Sequence, residues 1–262
     1  MLSRPHPAEI GGYVLAGGRS SRMGRDKAFL KLAGKPLVLH AVVKLRRVCM
    51  EVNILGEDPA LDAYAPLVRD VHPDCGPMGG MEAALLHSRH DWNLFLPVDV
   101  PFLPTAYLSH WVRMTLPDES WTHPDVSPDD AIRGRLVFPA RHGTRVFLFT
   151  VNEIPQPTVA MVHSDVRPFL TEALERGQYK LFPVLEKACR EIAVGKGLMP
   201  GVGMWKIPYW SGLTSKPGPQ RKKEDWCYTT EAQERHSGSW FANLNTPEEF
   251  AEAEKHFDAL DT

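Results

Sequence analysis

Cysteine is scarce in this chain of 262 residues: Cys49, Cys75, Cys189 and Cys227 are the four present, and none stands in Cys-x-x-Cys spacing. That pattern argues against a zinc site and a disulfide framework, and it predicts a reducing, cytoplasmic setting. Excess charge is also missing. Thirty Lys and Arg stand against 32 Asp and Glu, a net charge of −2, so neither nucleic acid nor an anionic membrane is an expected partner. No apolar run approaches the roughly 18 residues of a membrane-spanning helix. Residues 1–10 are polar and contain proline, so a secretory signal, which needs an apolar core, is not expected. Internal repeats are absent. The 11 histidines form no His-x-x-x-His pair. His87 and His90 fall near the end of an expected helix, where imidazole favours the carboxyl-end dipole. No Ser-His-Asp or Cys-His constellation stands out, so no covalent enzyme intermediate is expected.

What remains is ordinary for a globular protein: 43% hydrophobic and 24% charged residues. The length suffices for a full core and allows one large domain or two small ones. The informative stretch is Leu15-Ala16-Gly17-Gly18-Arg19-Ser20-Ser21-Arg22-Met23-Gly24-Arg25-Asp26-Lys27, which leaves a short apolar run. Gly24 is followed by Arg25, so the Walker A pattern fails. The glycine spacing does not make a dinucleotide fingerprint either. Adjacent glycines can take positive φ and turn consecutive N–H groups toward an anion. Arg19 and Arg22 can fork onto phosphate oxygens, and Lys27 adds a point charge. A strand-to-loop turn with solvated arginines is the bland alternative. The density of cations beside two glycines favours a phosphate cradle.

The first hundred residues alternate in pattern. Strands are expected at 12–16, 52–55, 67–70 and 93–98, and helices at 36–45 and 79–87. That alternation implies β-α-β units and a doubly wound, mostly parallel sheet flanked by helices. Ligands gather at the carboxyl ends of such strands, where Gly17 and Asp99 both fall. Farther on, 136–140 and 145–151 read as a hairpin turning at His142-Gly143, and 156–162 as another strand. Residues 166–176 and 179–189 read as helices split by Gly177. Residues 195–238 read as an irregular insertion within a single domain over 1–262, with an exposed basic loop at 215–223. A last strand is expected at 239–244. Thr246-Pro247-Glu248-Glu249 then caps a helix, with Glu249 completing a capping box.

Asp99 closes the apolar run Phe95-Leu96-Pro97-Val98. A dry, unpaired carboxylate there would be costly. A divalent cation removes that cost, and Mg²⁺ typically uses one or two carboxylates with phosphate oxygens and water. Bonding to turn N–H groups is the alternative. Asp70 also closes a short strand, where it could equally cap a loop.

Four segments together resemble the molybdenum cofactor guanylyltransferases, within the larger group of nucleotidyltransferases acting on sugar-1-phosphate-type acceptors. They are the glycine-rich loop, Cys75-Gly76-Pro77-Met78-Gly79-Gly80-Met81, the Asp99 strand, and Phe241-Ala242-Asn243-Leu244-Asn245-Thr246-Pro247-Glu248-Glu249. The likeness covers 11–108 closely, is patchy over 132–192, lapses over about 195–238 and returns to the end. It implies a Rossmann-like fold of the nucleotide-diphospho-sugar transferase type. It also implies GTP as donor, molybdopterin as the molybdenum cofactor as acceptor, and Mg²⁺. The site residues implied are Leu15, Ala16, Gly17, Gly18, Arg19, Arg22, Lys27, Asp70, Gly76, Gly80, Asp99, Asn243 and Asn245, with Asp99 on the metal. Arg22, Lys27 and Asp99 would carry the chemistry. Asn243 and Asn245 would sit near the acceptor or, alternatively, bond their own backbone. Molybdoenzyme maturation proteins are a further partner class the resemblance allows. The chain departs from the family pattern at three places. Leu55-Gly56-Glu57 stands where an asparagine is usual, Gln156-Pro157-Thr158 replaces His-Pro-Thr, and Val98 and Val100 flank Asp99. Two alternatives follow: a relative using CTP or a sugar phosphate, and a non-catalytic GTP-binding accessory of molybdoenzyme maturation.

Overall fold

A computed structural model describes residues 8–17, 26–115, 143–209 and 228–261. Strands β1 (Ala8–Leu15), β4 (Cys49–Leu55), β5 (Leu67–Val68) and β6 (Trp92–Pro97) run parallel. With β7 (Val146–Val151), β8 (Ile154–His163) and β9 (Met204–Tyr209) they form one sheet in the order β5-β4-β1-β6-β8-β7-β9. Only β8 runs against the rest. A separate two-stranded ribbon, β2 (Lys31–Leu32) with β3 (Lys35–Pro36), turns at Ala33 and Gly34 with φ of 51° and 77°. Two successive positive φ values suit a tight hairpin turn.

Helices cover both faces, as the alternating pattern requires. α1 (Leu37–Val48) and α3 (Thr105–Thr115) pack on one core with Val14, Ile54 and Leu96. α1 buries Leu37, Val38, Ala41, Val42, Leu45 and Val48, the spacing of one helical face. α2 (Pro77–His87), α4 (Arg167–Glu175) and α5 (Leu181–Gly195) close the other face over Tyr13, Leu15, Phe95 and Leu148. α6 (Glu231–Arg235) and α7 (Pro247–Ala253) complete the carboxyl-terminal part. Among the described residues no helix is long and apolar enough to cross a membrane.

Three readings need correction. The hairpin involving β7 turns at Asn152-Glu153, with φ of 48° and 65°, and its second strand is β8. Asparagine tolerates the left-handed region that such a turn needs. Residues 136–140 and His142 lie outside the described residues. The stretch 239–244 forms no strand: a 3₁₀ turn, Ser237–Ser239, leads into irregular chain. The segment 195–238 also carries regular structure, because α5 runs to Gly195 and β9 joins the sheet beside β7. β9 hides from pattern reading because Pro208 interrupts it, and proline is tolerated on a strand paired on one side only. Its approach to α5 is close. A Cβ on Gly203 would strike the Cys189 carbonyl. The basic stretch 215–223 lies outside the described residues.

Buried polar contacts hold the carboxyl-terminal segment to α1, α6 and the start of α3. Lys44, on α1, is 1% exposed and donates to Asp261 Oδ2 at 2.7 Å and to the Leu103 carbonyl at 2.8 Å. Thr105 gives its N–H (2.9 Å) and hydroxyl (2.6 Å) to the same carboxylate, and Gln233 Nε2 donates to Asp261 Oδ1 at 2.8 Å.

Candidate active site

The parallel strands end together, and their ends are stitched to one another. Ala16 N–H donates to the Leu55 carbonyl (3.0 Å), Gly56 N–H to Val68 (3.3 Å) and Val98 N–H to Leu15 (3.2 Å). A cleft of about 780 Å³ opens at this edge. Leu15, Ala16 and Gly17 floor one part; Asp70, Gly76 and Gly80 line another. This is the crevice that strand topology predicts for a ligand. Of the expected site residues, those six are therefore brought together.

Glycine has a steric reason at this site. Gly76 holds φ of 62° where the chain enters α2, a conformation costly for other residues. A Cβ on the neighbouring Gly79 would lie 2.7 Å from the His72 carbonyl and 3.1 Å from Asp70 Oδ2. The absence of side chains here lets the start of α2 sit against Asp70.

Asp70 is half-buried, and burial first, then Glu57 and Glu82, push its carboxyl up to about 6. Glu82 lies beneath it on α2, fully buried, taking His72 Nδ1 at 2.8 Å and the Thr171 hydroxyl at 2.7 Å. Four further carboxylates line the cleft, Asp26, Glu57, Asp58 and Asp74; of these the sequence marks Glu57 alone, as a departure from the family's usual asparagine. Asp26 and Asp58 accept N–H groups of Ala28 (2.9 Å) and Ala60 (2.8 Å), each capping a 3₁₀ turn. Glu57 Oε1 accepts the Asp70 N–H at 3.3 Å. Glu57 stands two residues past the end of β4, as Asp99 stands two past β6.

Lys27 opens the 3₁₀ turn Lys27–Phe29 that Asp26 caps at the cleft wall. Its ammonium donates to Asp99 Oδ2 at 2.9 Å and to Asn245 Oδ1 at 2.7 Å. Asp99 follows β6 by two residues, and its carbonyl accepts the Leu244 N–H at 3.0 Å. Asn245 precedes α7, whose Thr246 and Glu249 form the expected capping box. Glu249 also takes the Asn245 N–H, which fixes the asparagine at the helix entrance. Three segments remote in sequence thus meet at one ammonium group. Asn243 does not join them: it is exposed, and its carbonyl accepts Asn245 Nδ2 at 3.5 Å. Gly18, Arg19 and Arg22 lie outside the described residues.

Among the described residues no group of three or more His, Cys, Asp or Glu could hold a metal ion. A cation at Asp99 would therefore draw its remaining ligands from substrate oxygens and water, as Mg²⁺ commonly does. Asp99 fits such an ion, because its carboxylate already carries a positive group at 2.9 Å.

Residues 12–191 match the family model described as the MobA-like NTP transferase domain. A molybdenum cofactor guanylyltransferase from Serratia proteamaculans is 35% identical over 71% of this chain and 84% of its own length. One from Vibrio cholerae is 25% identical over 94% of this chain and 92% of its own. In fold, the chain is similar to molybdopterin-guanine dinucleotide biosynthesis protein A from Archaeoglobus fulgidus, with a TM-score of 0.58, 18% identity, and 94% of this chain and 97% of that one covered. A nucleotidyl transferase from Methanothermobacter aligns with a TM-score of 0.51 at 17% identity, over 95% of this chain and 97% of its own.

Proposed function

Because the chain belongs to the MobA-like NTP transferases, and among them to the molybdenum cofactor guanylyltransferase family, we propose that it moves GMP from GTP to molybdopterin, carried as the molybdenum cofactor. The observation that carries this reading is the meeting of Lys27, Asp99 and Asn245 beside the cleft at Gly17. A triphosphate laid across Gly17 would bring its charged tail toward Lys27, and the base would lie toward Asp70 and Gly80. The acceptor would approach from the Asn245 side. A phosphate oxygen of the acceptor forms a bond to the α-phosphorus. The bond from that phosphorus to the bridging oxygen breaks, and pyrophosphate leaves with the electron pair. Lys27 would hold the phosphates, and Asp99 would hold Mg²⁺. Mg²⁺ when bound would neutralise charge on the reacting phosphates, and the residues around it contribute positioning rather than covalent chemistry. The described residues share one main sheet, which supports reading the chain as one catalytic unit.

Carboxylates at the base end suit guanine. Its Watson–Crick edge offers neighbouring N–H donors, whereas cytosine and adenine present a ring-nitrogen acceptor at that position. Ionised Asp70 accepts such donors and protonated Asp70 does so poorly. With its carboxyl pushed up to about 6, guanine nucleotide affinity should fall as pH drops through that value. Asp70→Asn should bind GTP about tenfold more weakly, a loss of about 1.4 kcal/mol, and lose most of the pH dependence. Calorimetric titrations at a series of pH values check this. A variant that keeps both affinity and pH profile would remove Asp70 from the base site.

The direct test of the reaction compares pyrophosphate release from GTP, CTP, ATP and UTP with molybdopterin present. GTP should exceed the others by at least about tenfold, the discrimination a polar base pocket can supply. CTP turnover equal to GTP would shift the assignment to a cytidylyl transferase. Tight GTP binding without turnover would make the protein an accessory.

A further inference from the structure

We propose that Lys27 occupies the cation position at Asp99 until nucleotide arrives, so that divalent metal enters with the triphosphate and not ahead of it. The inference rests on the reading of Asp99 as the metal carboxylate, and it adds an order of events to that reading. Lys27 Nζ lies 2.9 Å from Asp99 Oδ2, with the two side chains 15% and 23% exposed. Asn245 Oδ1, at 2.7 Å, holds the ammonium from a second direction. The lysine is thus fixed against the carboxylate by a partner that is itself anchored, through Glu249, at the entrance of α7. A divalent ion approaching Asp99 alone would meet a positive charge already on that oxygen. In a partly buried setting such repulsion is screened less than at an open surface.

A triphosphate changes the balance. An ammonium has three donors, and two are committed to Asp99 and Asn245. Phosphate oxygens offer Lys27 a stronger anion than one carboxylate. When the ammonium turns to them, Asp99 is left for the metal, and Asn245 is left for the acceptor side. Nucleotide should therefore raise metal affinity, and by linkage metal should raise nucleotide affinity by the same factor. Removing the ammonium should uncouple the two.

Mn²⁺ binding, read from the electron paramagnetic resonance signal of the free ion, tests this on the full chain with and without the α,β-methylene analogue of GTP. Wild type should bind Mn²⁺ at least about tenfold more tightly with the analogue than without it. Lys27→Met should tighten Mn²⁺ binding in the absence of nucleotide at least about fivefold, because the competing charge is gone. Asn245→Ala removes only the neutral partner and should move that affinity less than about twofold, which separates charge competition from general loosening. The proposal is overturned if wild type binds Mn²⁺ equally with and without the analogue. It is overturned also if Lys27→Met leaves nucleotide-free Mn²⁺ affinity unchanged or lower. Asp99→Ala distinguishes the two layers: Mn²⁺ binding in the presence of the analogue that survives this substitution would remove the metal reading itself.

Discussion

Replacing Asp99 by alanine is expected to lower GMP transfer by about three orders of magnitude and to leave the protein folded. Stabilisation of developing charge by a fixed electrostatic group is commonly worth a factor of about 10²–10³, and loss of a metal carboxylate removes orientation as well. Folding should survive because the site is partly open: Asp99 keeps 23% of its side-chain exposure. The backbone bond from Leu244 N–H to the Asp99 carbonyl does not need the carboxylate. Lys27 would lose one partner and keep Asn245. Steady-state pyrophosphate release at varied Mg²⁺, with thermal melting measured alongside, separates chemistry from stability. Metal-dependent turnover at wild-type level in a folded Asp99→Ala protein would end the assignment of the metal carboxylate.

The second large effect concerns stability. Lys44→Ala leaves Asp261 buried without its cation, and breaking one side of a buried pair typically costs about 3–5 kcal/mol. For a chain of this size that corresponds to a melting point lower by about 6–20 °C. The same substitution unties the carboxyl-terminal segment, since Thr105 and Gln233 meet on the Asp261 carboxylate. GTP turnover should therefore fall along with stability, through loss of the fixed position of Asn245. The double variant Lys44→Met with Asp261→Leu, which removes both charges, should recover much of the melting point. Burial alone would raise the Asp261 carboxyl, but Lys44 first and Thr105 next hold it below the ordinary carboxylate value. A depressed carboxyl stabilises the fold above its unfolded pKa of 3.8 and loses that contribution as pH falls through the lower folded value. Acid unfolding of wild type should thus carry a component near and below pH 3.8 that the double variant lacks. An unchanged melting point in Lys44→Ala would show that this cluster does not tie down the terminus.

The part of the fold legible in the sequence is the part governed by short-range periodicity. Strands β1, β4 and β6 and helices α1, α2 and α4 fall close to where apolar spacing places them. The capping box at Thr246 and Glu249 was also legible, because its two partners lie within one helical turn. What escaped was set by contacts between remote segments. β9 carries a proline and lacks clean alternation, and its register against β7 makes it a strand. α3 buries Leu108, Trp111 and Val112 against α1 and the sheet, a face set by its neighbours. The stretch 239–244 buries Trp240, Phe241 and Leu244 and looks like a strand on composition, yet among the described residues no strand pairs with it.

The candidate site divides along the same line. The chemical types needed for phosphate and metal binding stand in the order of residues, and so does the topology that sends Gly17 and Asp99 to one edge of a parallel sheet. Chain order alone left Asn243 and Asn245 equivalent, and it gave Asp26, Asp58 and Asp74 no place in the cleft. Packing separates them. The buried Lys44–Asp261 pair and the Leu244–Asp99 bond bring the carboxyl terminus across the site, so Asn245 reaches Lys27 and Asn243 faces out. Side-chain chemistry is a property of each residue taken singly, while proximity between residues 27, 99 and 245 is a property of the whole folded chain.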